Sequence, residues 1–407
     1  MRSELTRIVA SMVLVVFTAS ALAQSDPPSS PEVAAAMKPY FDQHKLAGVI
    51  AIVADKTGKV HYRNLIGYAD VEAKKPISED NVFWVASMSK MFVGASIMML
   101  VDEGKLKLDD DVAKYLPKYR DPVVISRFNE SDASYETRPA KRPITIRHLL
   151  AHTSGLGYTF SNATVARLVQ KTGKSEADLP LLFDPGDNWA YGASTRVLGD
   201  VVEAVSGQKL DAFLASRILD PLGMRDTSYL VPTGKYARVV AVNSRGADGK
   251  FVERPMPPTL AASVAGDGGL YGTAGDYALF LRMLLNRGKA GDMRLLSDGA
   301  VKAMLASQSG SVTAQLQQST NPALSRNFPL GAGKDHWGLG FQLAAERLPN
   351  RRSPGSGTWA GIFNTHFFID PVREIGVVVM MQTLPFYDEK SMTVYADVEE
   401  AVYKNLK

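Results

Sequence analysis

A chain of 407 residues, 45% hydrophobic and 22% charged, is globular and can bury a large core, as one large domain or two intimate ones. Its formal net charge of +4 is small, with Lys and Arg interleaved among acids, which argues against nucleic acid as a partner. The absence of cysteine excludes disulfides, thiol catalysis and thiolate metal sites.

In chain order, Arg2 to Ala23 has the make-up of a secretory signal: Arg2 and Arg7, the apolar run Ile8 to Phe17, then Ala21-Leu22-Ala23 before Gln24. An uncleaved anchor is the alternative. The run is too short to span a membrane, and no later stretch reaches about 18 uninterrupted apolar residues. The expectation is an exported bacterial protein, periplasmic or secreted, with no stable membrane span once residues 1–23 are removed. Residues 24–407 then form one domain, and losing two Arg and one Glu lowers the formal charge from +4 to +3.

After the Ser/Pro-rich linker Ser25 to Pro31, an amphipathic helix is predicted from Pro31 to about His44, capped by Ser30. Gly48 to Asp55 and Lys59 to Asp70 read as β-branched strands joined by the hairpin turn Lys56-Thr57-Gly58. Next, the strand-like Phe83-Trp84-Val85-Ala86 meets Ser87, and the strongly helical Met91 to Leu100 follows, stopping near Gly104. A helix starting near Ser87 puts Lys90 one turn on, sharing its face. It also puts the hydroxyl at the positive end of the helix dipole, among N–H groups with no intrahelical acceptor. Such a serine beside an amine is a candidate activated nucleophile; an ordinary helix start is the alternative. The S-x-x-K spacing is weak by itself, and it recurs at Ser206-Gly207-Gln208-Lys209. That copy closes a helical segment at a Ser-Gly pair, whereas Ser87 opens one, so Ser87 is preferred.

From Leu108 to about Pro258 the texture changes to helices and long polar loops, with Arg120 to Pro143 as a charged surface loop. His148 and His152 stand four apart, a spacing able to hold zinc on a helix. No acidic residue follows at a fitting spacing, so structural histidines are the better reading. From Phe183 to Ser194 a Pro185-Gly186 turn and an aromatic loop run into an amphipathic helix, presenting Tyr191 at its entrance as a base or a packed aromatic. Strands return at Trp337 to Ala344, Thr358 to Asp370 and Ile375 to Thr383, and Ser391 to Leu406 reads as a closing helix. Small residues in Ser356 to Phe363 suggest a close backbone approach, as by a bound substrate, or a tight β-bend. Strands at both ends with helices between suggest an α/β sheet assembled from both termini. Its sheet region covers about residues 33–86 and 266–407, and the inserted helical region about 87–265. No G-x-S-x-G, H-E-x-x-H, P-loop or G-x-G-x-x-G signature is present.

Taken together and in order, four stretches carry a family resemblance. They are Ser87-Met88-Ser89-Lys90, Arg147 through Leu156, Pro185-Gly186 six residues before Tyr191, and Gly266-Asp267-Gly268-Gly269-Leu270. From about Val33 to Lys407 the chain resembles serine β-lactamase-related hydrolases of the class C and penicillin-binding-protein type, and most of all the family VIII carboxylesterases. The resemblance implies a β-lactamase/transpeptidase-like fold, an antiparallel sheet flanked by terminal helices with an inserted, mostly helical region. Two departures stand out. Where the class C pattern has Tyr-x-Asn, this chain has Tyr191-Gly192-Ala193, and where it has Lys-Thr-Gly, this chain has Trp359-Ala360-Gly361. The family VIII esterases carry a similar tryptophan motif there.

The chemistry implied is two-step acyl transfer, in which Ser87 attacks a carbonyl and water later hydrolyses the acyl-enzyme. The base is Lys90 or Tyr191. Unperturbed lysine and tyrosine both titrate near pH 10, so burial or a neighbouring cation has to shift one of such a pair. The oxyanion is held by the backbone N–H of Ser87 and, by resemblance, that of Ile362. Trp359, Ala360, Gly361 and Ala193 take the substrate-contact positions. No cofactor or metal is implied, and the partner is a small-molecule ester or amide. Losing the strand lysine favours esters over β-lactams, unless Arg351 or Arg352 folds back to replace the cation. A β-lactamase or D-amino-acid peptidase is the alternative enzyme, and a penicillin-binding-like receptor with little turnover the alternative of another class. The full Ser87, Lys90 and Tyr191 set argues against the receptor, which needs no base.

Overall fold

The computed structural model describes residues 29–43, 46–246, 248–254, 263–329 and 331–406. The signal-like segment, and His44 at the expected end of the first helix, lie outside the described residues. Ser30 caps helix α1 (Pro31–Asp42), its hydroxyl accepting from Val33 N at 3.2 Å with proline at the first helical position.

An eight-stranded, wholly antiparallel sheet organises the molecule. Its strands are β1 (Gly48–Asp55), β2 (Val60–Asp70), β3 (Lys75–Pro76), β4 (His336–Trp337), β5 (Gln342–Leu343), β6 (Gly357–Gly361), β7 (Thr365–Asp370) and β8 (Ile375–Met380). The spatial order is β4-β5-β6-β7-β8-β1-β2-β3, so the two ends of the chain meet where β1 pairs with β8, Ile52 opposite Val378. Strand β1 is apolar throughout because both its faces are covered. Val49, Ala51 and Val53 join one core with α1 and the closing helix α5 (Glu389–Asn405). Ile50, Ile52 and Ala54 join the larger core on the other face, as the period-2 alternation of a strand requires. The expected sheet from both termini is present.

The larger core is built on helix α2 (Lys90–Asp102), whose residues Lys90 to Leu100 are all buried. Helices α3 (Ser194–Ser206) and α4 (Ala274–Leu285) pack around it. Ser206 does end a helix: Gly207 follows in the left-handed conformation at φ 72°. Among the described residues no helix is long and apolar enough to cross a membrane.

Three sequence expectations need correction. Residues 120–143 contain a β-hairpin, Val123–Phe128 against Tyr135–Pro139, rather than only loop. Its edge is tied down by the backbone of Leu181, which exchanges 2.9 Å hydrogen bonds with Val123 and Ile125, and the polar side chains face water. The stretch 337–344 is two short strands, because Gly338 N bonds Phe341 O across a turn holding Gly340 at φ 103°. Thr358 to Asp370 is likewise two strands, turned at Asn364 with φ 59°.

Candidate active site

Ser87 sits on a sharp turn. The short strand Phe83–Trp84 pairs with Tyr271–Gly272, and the chain then bends through Ala86 at φ 46° into a 3₁₀ turn, Ala86–Ser89, that continues as α2. A left-handed alanine is uncommon and persists only where its surroundings hold it. Ser89 supplies part of that hold: its hydroxyl donates to Ala86 O at 2.6 Å and accepts from Leu270 N at 3.1 Å. The second serine of the motif therefore fastens the turn, while Ser87 stays half-buried beside open space. Lys90 is only 2% exposed. Its Nζ donates to Ser87 Oγ at 3.0 Å and to the backbone oxygen of Asp267, and lies 5.0 Å from the Tyr191 ring centre.

Tyr191 approaches from the loop before α3. Gly192 follows it because a Cβ there would lie 2.1 Å from Leu156 O, closer than any side chain is tolerated. The Tyr191 phenol oxygen accepts a 3.2 Å hydrogen bond from Trp359 Nε1, and the two ring centres are 4.7 Å apart. Trp359 is buried, edge-on to Trp337 and Phe328. Its indole N–H, at a position expected from the resemblance to contact substrate, is engaged by Tyr191.

Ala360 and Gly361 lie inside β6, and Ala193 is fully buried at the N-cap of α3. None of these, nor Trp359, borders the cavity beside Ser87, whereas Ile362 does. A Cβ on Gly361 would come 2.4 Å from Val85 O. The close approach read into these small residues is thus made by the chain itself, holding the end of β6 against the Ser87 turn. The N–H of Ser87, in the first turn of a helix, has no intrahelical acceptor, and Ile362 directly follows that strand.

Three residues behind Lys90 were not found from sequence. Asp267 is 7% exposed, and its carboxylate accepts from Tyr158 Oη at 2.7 Å and pairs with Arg196 at 3.1 Å. Burial, then the Asp267 charge, pushes the Tyr158 phenol well above its ordinary range, so it stays protonated. Asp267 lies in the quoted glycine motif, and Tyr158 two residues beyond Leu156, but nothing local marks Arg196.

The two histidines divide. His148 takes part in a capping box with Thr145, while His152 is buried against Trp189, Tyr191 and Trp337. Burial, then the Lys90 charge, holds His152 well below its ordinary value, so it is neutral. Among the described residues no three His, Asp or Glu side chains gather as a metal site.

The cavity beside Ser87 has a volume of about 440 Å³ and is walled by Trp84, Tyr271, Val240, Ile362, Phe363 and Leu384. Trp84 stacks on Tyr271 at 5.5 Å and tilts onto Phe363 at 4.8 Å. Such a shape takes an apolar group carried next to a reacting carbonyl. Arg351 and Arg352 do not reach it: Arg352 is bound to Glu399 and Tyr395 of α5, and Arg351 to Ala396 and Glu400. Among the described residues, the charged one that does border the cavity is Arg254.

Comparison with known proteins gives a consistent picture. A family model described as Beta-lactamase matches residues 33–400. Esterase EstB of Burkholderia gladioli is 30% identical over 414 residues, covering 91% of this chain and 95% of that protein. A lovastatin esterase of Penicillium rubens is 28% identical, covering 85% and 91%. Among solved structures, the LovD6 mutant of simvastatin synthase from Aspergillus terreus superposes with a TM-score of 0.79 at 25% identity, covering 92% of this chain and 96% of that one.

Proposed function

The chain belongs to the beta-lactamase family of serine hydrolases, which work through an acyl-enzyme, and from that premise we propose that it is a carboxylesterase acting on small-molecule esters. The observation that carries this reading is the 3.0 Å contact between Lys90 Nζ and Ser87 Oγ at the side of an apolar cavity. The relatives whose names denote ester hydrolysis support the same substrate class.

On this reading Ser87 Oγ attacks the ester carbonyl while Lys90 takes its proton, being the nitrogen within hydrogen-bond reach. The Asp267 carbonyl, a pure acceptor, keeps Nζ turned toward the hydroxyl. The N–H groups of Ser87 and Ile362 receive the oxyanion, a contact whose loss typically costs on the order of 100-fold in rate. Tyr191, its phenol oxygen oriented by the Trp359 indole, gives its proton to the departing alcohol, then takes one from the water that attacks the acyl-enzyme, while Lys90 returns the serine proton to Ser87 Oγ as the acyl bond breaks. Tyr158 remains a protonated clamp on Asp267 and is no base. Esters are preferred over β-lactams because the position of the strand lysine in the class C pattern is Trp359, which is buried, bonded to Tyr191 and carries no cation to meet a carboxylate next to the scissile bond.

The test is turnover of p-nitrophenyl butyrate and nitrocefin together with fluorophosphonate labelling. Wild type should hydrolyse the ester with the higher kcat/KM and take up the label. Ser87→Ala should lose both, while Ser206→Ala, altered at the surface end of α3, should keep both. Labelling that survives Ser87→Ala sinks the assignment.

A further inference from the structure

The cavity beside Ser87 is apolar on nearly all sides, yet one cation stands on its wall. Arg254 is exposed at the rim, just after the short strand Phe251–Glu253. Its backbone N bonds Val242 O at 2.8 Å and its Nε bonds Ser244 Oγ at 2.5 Å, so the base of the side chain is anchored on the neighbouring strand. Among the described residues no Asp or Glu lines the cavity. The sequence from Pro255 to Ala265 contains none either, so that stretch offers no counter-charge. The adjacent acid, Glu253, is turned away to Val71 N. A guanidinium at the mouth of an apolar cavity, with its Nε held by Ser244, can offer its remaining fork of donors to a carboxylate on a molecule lodged there.

We propose that Arg254 is a specificity-determining residue that recognises a carboxylate on the substrate, so that the preferred esters carry an apolar body ending in a free acid. This rests on the esterase reading and narrows it. Such a carboxylate sits several bonds from the ester, at the rim, unlike the ring carboxylate of a β-lactam. Because Arg254 is exposed, the gain lies between that of a screened surface pair and a full charge-assisted hydrogen bond, roughly 3- to 10-fold in kcat/KM.

The experiment compares p-nitrophenyl half-esters of linear dicarboxylic acids with p-nitrophenyl alkanoates of equal length, over a series of lengths. A second pair carries the carboxylate on the alcohol half. In one pair, wild type should favour the acid at a preferred length, and the acid-to-neutral ratio should fall with added KCl. Arg254→Met should bring that ratio to about one or below, and Arg254→Lys should retain part of it. A wild-type ratio near one at every length in both pairs overturns the proposal, as does a preference that survives Arg254→Met. Failure of wild type to hydrolyse any of these esters would instead strike the esterase reading itself.

Discussion

Trp359 is the residue whose role changes most between sequence and structure. Its N–H donates to the Tyr191 oxygen at 3.2 Å, so on the proposed mechanism it acts through a neighbour. Trp359→Phe keeps an aromatic ring but removes that donor with part of the buried indole, and the donor alone is worth about 1 kcal/mol, or roughly fivefold. The expected result is a kcat lowered by about that factor with KM little changed, since orientation of a proton carrier matters in the transition state. Tyr191→Phe should lower kcat far more, and adding Trp359→Phe to it should cost little further, because the two act as a unit. Near wild-type kcat in Tyr191→Phe on an ester would return Tyr191 to the packed aromatics. Fully additive losses in the double variant would show that Trp359 acts by another route.

At the scale of elements, tight backbone junctions hold these side chains in register. Gly192, just after Tyr191, lies against the backbone of Leu156 and Gly157, leaving no room for a methyl group, which would sit 2.1 Å from a carbonyl oxygen. Gly192→Ala should therefore displace the loop and lower kcat by at least about tenfold, since small misplacements of catalytic groups are costly. Retention of full activity by that variant would mean that the loop yields freely. Helix α2 was legible in sequence because Met91 to Leu100 is apolar apart from Gly94 and Ser96, and the Ser87–Lys90 pair because its spacing is local. The Tyr191–Trp359, Tyr158–Asp267 and Arg196–Asp267 contacts join positions 168, 109 and 71 apart. Contacts of that kind leave no periodic trace in either partner. The strand breaks at Gly338–Gly340 and Asn364 were missed for a different reason: apolar residues on both sides of a tight turn look like one continuous strand.

For the molecule as a whole, burial of neutral histidines sets the response to acid. His366 in β7 is stacked 4.4 Å from Tyr395, and burial, then the nearby Arg352 charge, pushes it down to about 3 from 6.5. Below 6.5 the unfolded chain binds a proton that the folded chain refuses, so stability is present above that pH and is lost as pH falls toward 3. One such group removes about 2 kcal/mol between pH 7 and pH 5, and His152 acts in the same direction. Denaturant midpoints should fall over that interval, and His366→Gln should shrink the fall. An undiminished fall in the variant would assign the acid sensitivity to other groups. The pairing of β1 with β8 has a consequence for biosynthesis. A ribosome releases β1 and the Ser87 turn early, but β6, which buttresses that turn, emerges about 270 residues after it, and β8, which shields one edge of β1, about 320 residues after β1. Until then β1 offers an open edge suited to aberrant pairing, and Ser87 lacks the Ile362 N–H proposed as its oxyanion partner, so on that proposal the nascent chain is both chemically inert and dependent on protection from its surroundings.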